Sequence, residues 1–233
     1  MPLRLLLLSN STNHGQGYLD HALAEMDAFL GSIRRLTFVP FALKDREGYG
    51  AKAAERLAAI GVEVETLTAD EAGLRLAREA EAFFTGGGNT FRLLKTLQGS
   101  GLLPILRERA LDGIPYLGAS AGTNIAAPTI RTTNDMPIVE PASFEALGLV
   151  PFQINPHYLD PDPGSTHMGE TRETRLKEFH EENEAPVVGL REGAWLRVED
   201  GHATLGGARG ARIFRRGQEP EERGAGAGLD DLL

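Results

Sequence analysis

The chain predicts an α/β fold, a mostly parallel sheet flanked by helices with an antiparallel extension toward the C-terminus. Three observations lead there. Short apolar runs alternate with segments of helical periodicity through the first half, the pattern of a parallel sheet whose crossovers are helices. Two of those runs pass directly into glycine-rich turns that open helices, Gly86-Gly87-Gly88 and Gly118-Ala119-Ser120-Ala121-Gly122. The last quarter carries closely spaced β-type runs with no helical spacer between them.

In chain order, residues 4–8 form the first buried strand. Their leucines resemble the apolar part of a signal peptide, but Ser9-Asn10-Ser11-Thr12-Asn13 ends the run too early for one. A helix is expected over 18–30, a strand over 36–39 and a helix over 49–60. In the last of these Ala53, Ala54, Leu57 and Ile60 share a face opposite Lys52, Glu55 and Arg56. A strand at 62–66, a helix at 70–79, a strand at 82–85, helices at 91–97 and 103–111, a strand at 114–117 and a helix at 121–127 complete the alternation. Seven prolines from Pro128 to Pro163 then punctuate an irregular polar region of the kind that carries sites. A helix over 170–182 follows, its Glu170–Arg175 charges read as solvated pairs. Antiparallel strands are expected at 186–190, 194–198, 203–205 and 212–214. Residues 1–216 read as one α/β domain, and 217–233, rich in glycine and charge, as a flexible tail.

With 233 residues, 41% of them hydrophobic, the chain can bury a large core. It has no cysteine, which excludes a disulfide framework, a thiolate metal site and a cysteine nucleophile. Covalent chemistry would need an oxygen or nitrogen nucleophile. A net charge of −9 argues against nucleic acid as a partner, and no apolar run approaches the ~20 residues of a membrane span. A soluble, cytoplasmic chain is expected.

The run ending in Gly118-Ala119-Ser120-Ala121-Gly122 reads as a nucleophile elbow: the glycines allow a turn so sharp that Ser120 stands exposed, with the Ala121 N–H aimed at a developing oxyanion. Gly88, last of the three consecutive glycines, is the candidate second oxyanion donor. The triple fits neither the dinucleotide nor the phosphate-loop spacing. Among six histidines, His157 stands at the end of an apolar strand in Gln153-Ile154-Asn155-Pro156-His157, where sites form in such sheets. His21 and His180 fall in helix patterns, as surface or capping residues. A carboxylate must orient the imidazole, and spacing leaves Asp135 and Glu192 both open. The order Ser, Asp, His of α/β-hydrolases suits the first, and strand-end placement the second. His157, Asp160, Asp162 and His167 lack rigid metal-ligand spacing, so neither metal nor cofactor is expected.

These strings, together with Leu7-Leu8-Ser9-Asn10-Ser11-Thr12, TIRTTNDMPIV at 129–139, Gly169-Glu170-Thr171-Arg172 and GHATLGG at 201–207, resemble the peptidase E family of aspartyl dipeptidases, serine peptidases whose wider family also contains cyanophycinase. The resemblance implies a fold related to class I glutamine amidotransferase domains. It implies hydrolysis of Asp-X dipeptides through an acyl-enzyme, with Ser120 as nucleophile and His157 as base. It keeps both acids in play, the lean going to Glu192 with Asp135 in a supporting or substrate-amine role. A hydrolase of β-aspartyl polymers and a non-catalytic metabolite binder are the alternatives. The small dipeptide is the expected partner, taken by a monomer or homodimer. An aspartyl side chain needs a cation, and Arg131 is the candidate, with Asn89 beside it in substrate binding. Arg172, Arg175 and the amides near Asn89 stand next in line.

Overall fold

The computed structural model describes residues 2–161, 164, 166 and 169–233. The first half alternates as expected: β1 (Leu5–Leu8), α1 (Leu23–Leu30), β2 (Arg35–Val39), α2 (Arg46–Ala58), β3 (Glu63–Thr66), α3 (Glu71–Glu79), β4 (Phe83–Thr85), α4 (Thr90–Gly99), α5 (Leu102–Leu111), β5 (Tyr116–Ala119) and the short α6 (Ala121–Asn124). After the irregular region come β6 (Gln153–Tyr158), α7 (Arg172–Glu182), β7 (Val187–Arg191), β8 (Ala194–Glu199), β9 (His202–Gly207), β10 (Ala211–Phe214), β11 (Glu221–Arg223) and a 3-10 turn at Asp230–Leu232.

The strands form two sheets. One has seven strands in the order β3-β2-β4-β5-β1-β8-β9, and the other four, in the order β11-β10-β7-β6. In the larger sheet β1 pairs parallel with β5 and antiparallel with β8, so the parallel half gives way to antiparallel strands at β1. All four β1 leucines are fully buried. Leu5 and Leu7 enter one apolar core and Leu6 and Leu8 the other, because successive side chains point to opposite faces of a strand covered on both sides. Helix starts are set by side-chain caps: Asp45, Asp70, Asn89 and Thr171 accept from the N–H groups of Gly48, Gly73, Arg92 and Thr174.

The helix expected over 121–127 ends at Asn124 and that over 49–60 runs from Arg46 to Ala58, and three expectations differ further. The helix placed at 18–30 begins at Leu23, because Leu19 adopts φ 60° and its N–H donates to the Ser11 carbonyl. The strand at 186–190 is not wholly antiparallel: β7 runs parallel to β6 and antiparallel to β10, while β8 belongs to the other sheet. Residues 217–233 are not a loose tail. β11 pairs with β10, the Leu205 N–H donates to Ala227 and the Leu229 N–H to Ala203. Leu229 is fully buried and Leu232 nearly so, while Arg215 and Arg223 both pair with Asp231. Average composition concealed two leucines with a core to enter. Among the described residues no helix is long and apolar enough to cross a membrane.

If the tail completes the core, Leu229→Ala should lower unfolding free energy by roughly 2–5 kcal/mol, the usual range for emptying a buried leucine site. Urea titration followed by circular dichroism reads it directly; an unchanged midpoint and slope would detach the tail from the core.

Candidate active site

The site begins where β5 ends. Ser120 holds φ 52° and ψ −108°, a left-handed backbone that only dense surroundings maintain. The glycines around it are required by contact. A Cβ at Gly122 would collide with the Thr85 carbonyl oxygen, and one at Gly118 would lie 2.6 Å from the Gly122 oxygen. The Ser120 N–H and the Thr123 hydroxyl both donate to the Leu8 carbonyl, at 3.1 and 2.6 Å, tying the elbow to the end of β1.

His157 stands at an irregularity in β6. Pro156 pairs with Leu190 and Tyr158 with Arg191, which leaves His157 outside the ladder at φ 55°. Its Nε2 lies 3.0 Å from Ser120 Oγ and its Nδ1 lies 2.7 Å from Glu192 Oε1. With the serine hydroxyl donating to Nε2, the Nδ1–H donates to the carboxylate, the arrangement that holds one tautomer. Glu192 occupies the two-residue crossing from β7 to β8, and Gly193 makes that turn at φ 81°. The order of the connected groups along the chain is therefore Ser, His, Glu, and Asp135 is not the imidazole's partner.

Asp135 lies close by in a different bond. Its Oδ2 accepts from the backbone N–H and the hydroxyl of Thr90, at 2.7 and 2.6 Å, at the start of α4. Helix starts favour such an anion, since the first N–H groups have no partner within the helix. The segment carrying Asp135 is stitched to β6 by side-chain amides and hydroxyls. Gln153 donates to Thr129 Oγ1, Asn155 to Asn134 Oδ1 and the Thr132 carbonyl, and Asn134 to the Pro156 carbonyl. That stitching explains why TIRTTND and QINPH occur together: one string supplies partners for the other.

Among the described residues neither the Gly88 nor the Ala121 N–H has a hydrogen-bond acceptor, whereas the N–H groups of Gly86 and Asn89 donate to Val39 and Ala42. Gly88 takes φ 135°, and a Cβ at Gly87 would come within 3.0 Å of Ser120 Cβ, so the glycine turn lies directly against the elbow. Asn89 is committed to structure: it caps α4 and donates to the Met136 carbonyl at 2.9 Å.

Ser120, His157, Glu192, Asp135 and Arg172 line one pocket of about 330 Å³. Arg131 does not share it. Its guanidinium lies 5.1 Å from the Phe144 ring centre and lines a neighbouring cavity of about 480 Å³, of which Asp135 and Thr133 form the dividing wall. Arg175 lines that second cavity too and pairs with Glu170 at 3.2 Å. Arg172 has no ion pair to any described residue; burial and then Arg175 push its pKa down, while Asp135 opposes the shift. The sequence carried a signal for this: positions three and four away are Gly169, Met168, Arg175 and Leu176, so no acid stands at helical spacing to neutralise it. His180, expected at the surface or in a cap, is buried with Nδ1 3.3 Å from the Asn183 carbonyl at the end of α7. Asp162 and His167 lie outside the described residues.

Comparison with known proteins places the chain in a family. The pattern of peptidase family S51 matches residues 5–206. Peptidase E of Streptomyces coelicolor is 61% identical over 233 residues, covering 99% of this chain and 95% of that protein. A probable alpha-aspartyl dipeptidase of Drosophila melanogaster is 49% identical, covering 98% and 97%. Among solved structures, a peptidase from an acI-B1 actinobacterium superposes with a TM-score of 0.72 at 18% identity, over 98% of this chain and 97% of that one. A putative peptidase E from Listeria monocytogenes gives 0.69 at 22%, over 89% and 100%. The structural likenesses speak for the fold alone. With the family pattern spanning most of its length and full-length relatives at this identity, the chain belongs to peptidase family S51.

Proposed function

We propose that this chain is a serine-type dipeptidase that hydrolyses dipeptides with an N-terminal aspartate through an acyl-enzyme. The observation that carries the reading is the continuous hydrogen-bonded series Ser120–His157–Glu192 in a pocket that also holds the uncommitted Arg172. At about 330 Å³ the pocket is at the small end of ligand sites, which suits a substrate of one or two residues.

His157 Nε2 removes the Ser120 proton as Oγ attacks the scissile carbonyl, and Glu192 stabilises the imidazolium that forms. The Gly88 and Ala121 N–H groups receive the oxyanion. The imidazolium then protonates the leaving amine. Water, deprotonated in turn by His157, attacks the ester, and the imidazolium returns that proton to Ser120 Oγ as the ester bond breaks and aspartate is released. Asp135 has one carboxylate oxygen committed to Thr90, and the other takes the substrate's ammonium group. Arg172 grips the aspartyl carboxylate, the part first given to Arg131. The pocket supports this change, since Arg172 lines it with the nucleophile and Arg131 does not. A cytoplasmic location, where peptide breakdown supplies free dipeptides, belongs to the same reading, as does action as a monomer or homodimer.

Ser120→Ala should abolish turnover, a loss on the order of 10⁶ in rate, with an unaltered circular dichroism spectrum. Hydrolysis at the wild-type rate by that variant would end the serine mechanism.

Glu192→Gln should lower kcat by about 10⁴ because the amide favours the wrong tautomer, whereas Asp135→Asn should act mainly through KM. Steady-state kinetics on Asp-Leu separates the two, and the reverse pattern would make Asp135 the functional acid.

Arg172→Met should cut the preference for Asp-Leu over Asn-Leu by about ten- to a hundred-fold, the worth of a charge-assisted bidentate contact. Arg131→Met should leave that ratio of kcat/KM values alone. A ratio sensitive to Arg131 and indifferent to Arg172 would restore the earlier assignment.

A further inference from the structure

The string Leu7-Leu8-Ser9-Asn10-Ser11-Thr12 has no part in the chemistry just described, yet Ser9 and Asn10 are fully buried polar residues at the exit of β1. Their bonds go to the backbones of the reacting groups. The Leu8 carbonyl holds the Ser120 N–H at 3.1 Å. Ser9 Oγ accepts the His157 N–H at 2.9 Å and donates to the Leu190 carbonyl at 2.8 Å, while the Ser9 N–H donates to Ala194 at 3.0 Å. Asn10 Oδ1 accepts the Gly193 N–H at 2.8 Å, and its Nδ2 is anchored to the Thr12 carbonyl and Asn13 Oδ1 at 2.9 and 2.7 Å. Three consecutive residues thus grip the backbone at Ser120, at His157 and on both sides of Glu192.

We propose that Ser9 and Asn10 are positioning residues which, from one strand end, set the relative placement of His157 and Glu192 against Ser120. The inference rests on the Ser120–His157–Glu192 mechanism. The reason for such a device is geometric. Ser120 hangs from the larger sheet, His157 from the smaller, and Glu192 from the crossing between them. No single strand ladder registers all three. Ser9 bridges the sheets because its hydroxyl can donate and accept at once, and here it does both. His157 also needs the bond because it has left its ladder in a left-handed conformation.

The test compares wild type with Ser9→Ala and Asn10→Ala. Three quantities are read: the rate at which a small fluorophosphonate labels Ser120, the far-downfield proton resonance of the His157 Nδ1–H bonded to Glu192, assigned by its absence in His157→Gln, and kcat and KM for Asp-Leu. Displacements of ångström size cost up to about 100-fold, so both alanine variants should label and turn over some 10- to 100-fold more slowly. The resonance should broaden or vanish while KM stays within about two-fold. Failure of the wild type to label would remove the serine mechanism beneath the proposal. Wild-type labelling with equal rates and an intact resonance in folded alanine variants would overturn the positioning role alone, as would a change confined to KM. If Ser9→Ala is unfolded by circular dichroism, the same outcomes are read from Asn10→Ala and the milder Asn10→Ser.

Discussion

Two reacting residues of the site, Ser120 and His157, sit in left-handed backbone conformations, and the rest of the site is arranged to keep them there. Each such residue costs on the order of 1–3 kcal/mol, so it persists only where its surroundings leave no alternative. For Ser120 that role falls to Gly118, whose missing side chain lets the turn close on Gly122, to Gly122, which packs against Thr85, and to the Leu8 carbonyl. For His157 it falls to the irregular β6 pairing and the Ser9 hydroxyl. Relaxing either residue toward ordinary φ would swing its side chain off the line that joins hydroxyl, imidazole and carboxylate.

The parts of this arrangement that were legible in the sequence are those written in short range. A strand running into glycines announces a sharp turn, so Ser120, Ala121 and the Gly86–Gly88 turn could be placed from residue type alone. His157 and Glu192 were both strand-end positions, and the structure joins them. The choice between Asp135 and Glu192 was not legible, because it depends on which sheet each strand joins. The same blindness affected β7, whose run of valine, glycine and leucine does not say whether its neighbours are parallel. What singles out Arg131 in the sequence is its place in a signature string. That string turns out to be distinctive for its stitching to β6, and the guanidinium itself lies over Phe144. The tail's place in the core is not legible because two apolar residues among glycines and charges carry little weight in an average, however well they fit a core.

The distribution of cations follows a similar economy. This is an acidic chain, and many of its arginines are already engaged: Arg4 and Arg197 with Glu199, Arg197 also with Glu25, and Arg215 and Arg223 with Glu221 and Asp231. Arg191, the residue before Glu192, takes both carboxylate oxygens of Asp160 and holds that carboxyl below its usual pKa, while also bonding Glu222 from β11. The C-terminal segment therefore reaches the neighbourhood of the site through a bridging guanidinium. Arg172, by contrast, lines the nucleophile's pocket and has no ion pair to a described residue.

The crossing between the two sheets has a consequence for how this chain can vary over time. Only Glu192 and Gly193 separate β7 from β8, and both flanking strands are registered on their partners residue by residue. Adding or removing one residue there would carry every side chain of β8 to the opposite face of the sheet, or else pull the carboxylate away from the imidazole. Substitutions at this point are a question of chemistry, but insertions and deletions are a question of parity. Descendants of this sequence are free to lengthen the exposed turn at Asp200-Gly201 and bound to conserve, above any particular side chain, the count of residues between Leu190 and Ala194.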